Sequence, residues 1–200
     1  MTIFYRYGGK LYINITNRCH CNCTFCIRQN GESVGDSDSL WLAHEPSLEE
    51  IIDAYEKQDL DGISEVVFCG YGEPLERLDM VLDVCKYLRE HTDMKIRVNT
   101  NGLCDLIHAK PTAPLLKGLV DEISISLNAS TAAEYQRLTR CSFGEVAFEA
   151  MLQFARGCKE SVPRVVFTVV DVIGPDEVEA CHCLADEMGI ELRVRQYVGK

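Results

Sequence analysis

Three cysteines on one short loop carry the chemistry of this chain. In Thr16-Asn17-Arg18-Cys19-His20-Cys21-Asn22-Cys23-Thr24-Phe25-Cys26, the thiols of Cys19, Cys23 and Cys26 form a C-x3-C-x2-C set. An aromatic, Phe25, stands just before the last of them. Fe–S clusters are ligated by Cys thiolates, and three on one loop can hold three irons of a [4Fe–4S] cube. The fourth iron is then open to a small molecule, so the cluster can do chemistry as well as carry electrons. Structural zinc is the alternative, but such sites are four-coordinate and closed, with C-x2-C pairs and a distant partner pair. Cys21 could supply a fourth thiolate, in a cramped arrangement whose side chains alternate in direction if the segment is extended. Disulfides are a third reading.

The rest of the chain bounds what this loop can belong to. Two hundred residues suit one domain with a substantial core, here taken as 1–200. The composition, 46% hydrophobic and 26% charged, is that of a soluble globular protein. No apolar run approaches the roughly 20 residues that span a bilayer. Met1-Thr2-Ile3-Phe4-Tyr5-Arg6 lacks the basic and apolar zones of a signal peptide, so a cytoplasmic location is expected. Its eleven cysteines are then reduced thiols or metal ligands. A net charge of −11 argues against membrane-surface and bulk nucleic-acid binding, which need a positive face.

Strand and helix signals alternate, the pattern of an α/β fold with a parallel sheet. Ile3–Tyr7 and Leu11–Ile15 flank Gly8-Gly9 as a hairpin. A polar loop, 30–45, follows the cysteines. Ser47 and Glu50 are spaced as a capping box that opens a helix. Strands are expected over 65–69, 95–99, 122–127, 164–172 and 191–197. Helices are expected over 78–90, 131–138, 146–159 and 176–187, with a weak one over 106–119 broken by Pro111 and Pro114. Six strands in βα succession stop two units short of a closed eightfold barrel.

Parallel strands buried on both faces read as continuous apolar runs. Here polar residues alternate instead: Tyr12, Asn14 and Thr16; Arg97 and Asn99; Ser124, Ser126 and Asn128; Arg193 and Arg195. One face suits a layer of helices and the other a wet lumen, unless the polar groups satisfy one another. Ligands of such folds sit at the C-terminal ends of strands. The cysteine loop, Cys69-Gly70-Tyr71-Gly72-Glu73-Pro74, Asn99-Thr100-Asn101-Gly102 and Ser126-Leu127-Asn128 end four successive strands and point to one shared site.

These motifs together resemble the core of the radical S-adenosylmethionine (radical SAM) enzymes. The resemblance implies a partial (β/α)6 barrel with an N-terminal β-hairpin. It implies a [4Fe–4S] cluster on Cys19, Cys23 and Cys26, and SAM as second cofactor. Gly70, Tyr71, Gly72 and Glu73 resemble the family's Gly-Gly-Glu motif, whose exposed backbone meets the methionine amine. Tyr71 departs from it, standing where the first of the paired glycines usually is. Asn99, Thr100 and Asn101 stand where contacts to the SAM carboxylate or ribose are expected, and Ser126 and Asn128 match ribose partners. Val172 and Ile173 resemble the segment that packs on adenine, and Phe25 the aromatic near that base. Asn17-Arg18-Cys19, Phe25-Cys26-Ile27-Arg28, Phe68–Pro74 and Ser124–Asn128 look most like the small TatD-associated radical SAM proteins.

The activity implied is reductive cleavage of SAM to a 5′-deoxyadenosyl radical that abstracts hydrogen from substrate. A reductant such as flavodoxin or ferredoxin would supply the electron. So short a chain suggests that the substrate helps close the cavity, which points to a protein or peptide, and a TatD-like hydrolase is a possible partner. The competing reading is a non-catalytic Fe–S or zinc-binding accessory protein. Arg97, Arg193 and Arg195 could clamp a carboxylate or phosphate, or pair with Glu122 or Glu191 across strands. Cys181 and Cys183, two apart on a helix, do not face one another.

Overall fold

The computed structural model describes residues 1–35 and 37–197. Asp36, in the polar stretch 30–45, and Val198, Gly199 and Lys200, at the end of the expected domain, lie outside the described residues. Strands β1 (Phe4–Tyr7) and β2 (Lys10–Ile13) turn on Gly8 and Gly9, at φ +55° and +73°. Side chains resist that conformation, so the two glycines permit the tight turn that pairs Tyr7 with Lys10. From β2 onward every pairing is parallel. Strands β3 (Glu65–Phe68), β4 (Lys95–Thr100), β5 (Glu122–Ser126), β6 (Arg164–Val170) and β7 (Glu191–Arg195) follow in chain order across one seven-stranded sheet.

Helices α1 (Leu48–Glu56), α2 (Leu78–His91), α3 (Cys104–His108), α4 (Ala132–Thr139), α5 (Val146–Ser161) and α6 (Pro175–Met188) fall between the strands. The Ser47–Glu50 capping box is formed at α1, both reciprocal bonds being present. One face of the sheet (Leu11, Ile13, Val66, Phe68, Ile96, Val98, Ile123, Ile125 and Phe167) is sealed under α2, α5 and their neighbours. That burial is the main source of stability. Among the described residues, no helix is long and apolar enough to cross a membrane.

The sheet is open and curled, a partial barrel. In a flat sheet, the four strand steps from β3 to β7 would span about 19 Å. Yet Arg195, ending β7, lies within electrostatic reach of Cys69, just past β3, and of Tyr12 on β2. The Tyr197 hydroxyl also reaches Asn30 Oδ1, beyond the cysteine loop, at 3.2 Å. The last strand has therefore come round toward the second.

The inner face carries the polar alternation, though Val67 beside Arg97 and Val166 beside Ser124 interrupt it. Most of its charges are paired. Arg97 binds both oxygens of Glu65, at 3.1 and 3.3 Å, and Lys10 meets the same carboxylate at 2.5 Å. Arg164 and Arg193 share Glu122, each at 3.4 Å.

Several element boundaries differ from those read in the sequence, and the last strand, for one, stops at Arg195 instead of Tyr197. The expected 106–119 helix is α3 followed by a 3-10 turn, Ala113–Leu116. Asp105 Oδ1 accepts from both the backbone and the hydroxyl of Thr112, and Pro111 and Pro114 cannot continue a helical ladder. Strand β6 stops at Val170, and Asp171–Ile173 form a 3-10 turn. Asp171 is taken up there by the Tyr197 N–H at 2.8 Å. Strand β2 stops at Ile13 because Asn14 turns to the hairpin and the polar loop, donating to Thr2 and Leu40 carbonyls.

Burial alone would raise the Glu65 pKa, but Lys10 and Arg97 outweigh it and hold the carboxyl below its usual range. Its contribution is thus present above the unfolded Glu pKa of about 4.3 and lost as pH falls through the lower folded value. Glu65→Ala would leave Arg97 buried and unpaired. It is expected to cost about 3–5 kcal/mol in denaturant unfolding at neutral pH, a difference that should shrink below about pH 4.

Candidate active site

The cysteine loop leaves β2 through Asn14, Ile15 and Thr16, all buried, and is held from several sides. Asn22 and Thr24 donate their backbone N–H groups to the Thr139 and Leu138 carbonyls, at 2.8 and 2.9 Å. The last turn of α4, whose carbonyls have no partner within the helix, thus becomes a rack for the loop. Ser142 N–H returns a bond to the His20 carbonyl at 2.9 Å. Asn17 pairs with both backbone groups of Leu42, and Thr16 and Arg18 both bind Glu45, at 2.6 and 2.7 Å. His20 stacks on Phe143 and contacts the buried Glu76.

The loop after β3 locks onto the same segment. Glu73 N–H donates to the Arg18 carbonyl at 2.8 Å. A Cβ on Gly72 would stand 2.2 Å from the Thr16 carbonyl oxygen and 2.7 Å from that of Arg18. Backbone cannot yield to that approach, so glycine is required by contact with the cysteine loop. The Glu73 carboxylate is 4% exposed and fully engaged. Oε1 accepts from Leu75 N–H at 3.0 Å and Thr100 Oγ1 at 2.7 Å, and Oε2 from Asn101 N–H at 2.6 Å. Burial, then the Cys19 sulfur, push its pKa up to about 8, against the pull of these donors.

The residues singled out in the sequence separate into two groups. The side chains of Glu73 and Thr100 face inward and are consumed as struts. The Tyr71 ring is 2% exposed and turns to the polar loop, packing with Tyr5 and Leu40, edge-on to Trp41. Its hydroxyl donates to the Gly31 carbonyl at 2.8 Å. What this segment leaves available is backbone: the N–H and C=O groups of Gly70, Tyr71 and Gly72 make no hydrogen bond among the described residues. Asn101 leans on the cysteines, its Nδ2 3.9 Å from the sulfurs of both Cys19 and Cys21. Asn99 Oδ1 accepts from Arg97 at 3.2 Å. Asn128 adopts φ +62° at the end of β5, and its buried Oδ1 has no partner among the described residues. Ser126 is half-buried, Val172 is 45% exposed, and Phe25 and Ile173 pack partly on the core.

Cys19, Cys23 and Cys26 are half-buried, whereas Cys21 is buried. The Cys21 thiol holds Cys19 well below the ordinary thiol range, in spite of burial. Cys21 itself is driven up, first by Cys141 and then by Cys19 and Cys23. Nothing in the sequence links Cys141 to Cys21; the packing of α4 brings them together, beside a Tyr135 hydroxyl that has no partner among the described residues. Among the described residues, no three His, Cys, Asp or Glu side chains gather tightly enough for one metal ion. A cluster asks for something different: thiolates on separate irons, with Cys19 poised to ionise, as a metal ligand must. The donor set, the free backbone at 70–72 and the orphaned Asn128 oxygen fit a cluster with a small polar ligand beside it.

Known proteins resemble this chain in sequence and in fold. The family model of the radical SAM superfamily matches residues 13–182. A GTP 3′,8-cyclase of Lactiplantibacillus plantarum is 31% identical over 128 residues, 64% of this chain and 36% of that protein. Another, from Paenarthrobacter nicotinovorans, is 29% identical over 148 residues, 69% of this chain and 38% of that protein. The chain thus spans less than two-fifths of the length of these relatives. Among solved structures, Streptococcus suis SuiB bound to S-adenosylmethionine superposes with a TM-score of 0.68 at 15% identity, over 94% of this chain and 40% of that one. A radical SAM methyltransferase from Sphaerobacter thermophilus gives 0.65 at 16% identity, over 98% and 69%.

Two substitutions test the lock between the loops. Glu73→Gln sets an amide NH2 against an N–H or hydroxyl donor and should cost about 1.5–3 kcal/mol in unfolding experiments. Gly72→Ala should displace the cysteine loop while far-UV circular dichroism stays close to wild type. Both are expected to retain less iron per chain after anaerobic reconstitution. Wild-type iron content in both would show that the lock does not position the cysteines.

Proposed function

The chain belongs to the radical SAM superfamily, enzymes that use a [4Fe–4S] cluster and SAM, and from this premise we propose that it is a radical SAM enzyme whose cluster is held by Cys19, Cys23 and Cys26. The observation that carries the reading is the convergence of that loop with the free backbone at 70–72 and with Asn101, all at the C-terminal ends of β2, β3 and β4. Held by Cys19, Cys23 and Cys26 and by the backbone at 70–72, the cluster and SAM would supply radical chemistry able to take hydrogen from a substrate.

The protein's part is to bind, orient and exclude. Gly70, Tyr71 and Gly72 offer backbone groups to the methionine amine, while Glu73 and Thr100 keep that backbone in place. Asn99, Asn101, Ser126 and Asn128 present polar groups toward the SAM carboxylate and ribose, the Asn128 oxygen gaining the partner it lacks. Phe25, Val172 and Ile173 offer apolar surface to the adenine, and the 45% exposure of Val172 leaves it available for such a contact. Cys21, buried against Cys141, stays outside the ligand set.

The electron comes from a reductant of the flavodoxin or ferredoxin type, and the chain acts in the cytoplasm as one radical SAM core domain, residues 1–200. The likeness to TatD-associated proteins and the link to a TatD-like hydrolase rest on motif resemblance. For the substrate, the GTP 3′,8-cyclase relatives support a nucleotide ahead of a peptide or protein.

The test is anaerobic reconstitution with iron and sulfide, then dithionite and SAM, with 5′-deoxyadenosine measured by chromatography. Wild type is expected to produce it and Cys23→Ala to lose at least about a hundredfold of the rate, roughly 2.7 kcal/mol of barrier. A protein that takes up zinc in place of iron, or a Cys23→Ala variant as active as wild type, would sink the reading.

A further inference from the structure

The inner face of the sheet is positive, in a chain whose net charge is −11. Lys10, Arg97, Arg164, Arg193 and Arg195 stand there against Glu65, Glu122 and Glu191. Every one of those carboxylates is taken. Glu65 is bound by Lys10 and Arg97, Glu122 by Arg164 and Arg193, and Glu191 by Arg164 at 2.7 Å. Arg195 makes neither an ion pair nor a hydrogen bond among the described residues.

Its surroundings offer no counter-charge. Arg195 ends β7 opposite Val170, two residues beyond Arg193 and on the same face. Across the curled sheet it looks onto Cys69, Tyr12 and Arg97, with Arg193 alongside. Arg195 is exposed at the rim of the lumen, and partial loss of hydration and the two neighbouring guanidiniums lower its pKa. A cation held beside two others is unfavourable unless an anion joins it.

We propose that this point of the lumen, framed by Arg195, Arg193, Arg97 and Tyr12, binds an oxyanion of the substrate, a phosphate or a carboxylate; its assignment to substrate rests on the functional reading above. Guanidinium forks match such groups in bidentate fashion. The carboxylate of SAM is the other oxyanion to consider, and saturating the protein with SAM before the titration separates the two. Tyr12 and Arg97 lie on the same face below the strand ends, Arg97 hydrogen-bonded to Asn99 at 3.2 Å, and Arg193 and Arg195 stand opposite Thr168 and Val170 at the C-terminal end of β6. The anion would lie between Cys69 at the mouth and Tyr12 and Arg97 beneath it. An anchor there would hold one end of a substrate and leave its other end facing the cofactor.

The test is isothermal titration of inorganic phosphate and, separately, acetate into cluster-loaded protein saturated with SAM. One saturable site is expected for at least one of the two, and the better ligand identifies the substrate group as phosphate or carboxylate. Arg195→Gln should weaken it at least about tenfold, equivalent to about 1.4 kcal/mol. Arg195→Lys, which keeps the charge without the fork, should fall between. No saturable binding of either anion, or Arg195→Gln binding as tightly as wild type, overturns the inference. So does a loss of SAM affinity in Arg195→Gln with anion binding unchanged, which would give Arg195 to the cofactor. Formation of 5′-deoxyadenosine by the same wild-type preparation separates the two claims. Cleavage without anion binding removes this inference alone. Anion binding without cleavage removes the functional reading and leaves the anion site standing.

Discussion

A buried carboxylate ties three strand ends into one site. Glu73 receives the Thr100 hydroxyl and the Asn101 N–H from the end of β4 and the Leu75 N–H from its own loop, while its backbone N–H reaches back to Arg18. None of these partners lies on the same element as another, except Thr100 and Asn101. A buried acceptor that loses its donors bears the full cost of its desolvation. The geometry of the cysteine loop, the backbone at 70–72 and the Asn101 amide therefore stand or fall together. Gly72 completes the constraint, because the two loops touch backbone to backbone.

The second constraint is the curl of the sheet. Helices cover its outer face with apolar contacts, leaving the inner face for polar groups that must be paired or solvated. Most are paired, through Glu65 and Glu122, each of which serves two cations. The pairing stops at Arg195, on the edge strand that comes round toward β2. Structural charge and available charge are thus divided along one surface.

Much of this architecture was legible in the chain. Gly8-Gly9 could only be a tight turn, and the Ser47–Glu50 spacing announced the start of α1. The alternation at Ile96–Asn99 and Glu122–Asn128 distinguished an outer from an inner face, and four motifs at four strand ends indicated one site. Long-range partners were not legible. Nothing local says that Glu73 points at Thr100, or that Arg97 pairs with Glu65 instead of Glu122. The rack formed by the Leu138 and Thr139 carbonyls is invisible because backbone acceptors carry no sequence signature. Asp171 reads as strand until its side chain is claimed by the Tyr197 N–H. Cys21 and Cys141 are 120 positions apart in the chain, and only the packing of α4 brings them together.

Mössbauer spectroscopy of protein reconstituted with Mössbauer-active iron tests the three-thiolate site most directly, because it resolves the individual irons. With Cys19, Cys23 and Cys26 as the protein ligands, one iron of the cube should differ from the others and change its parameters when SAM is added. A cube whose irons all carry thiolate and ignore SAM would make Cys21 the fourth ligand and contradict the account.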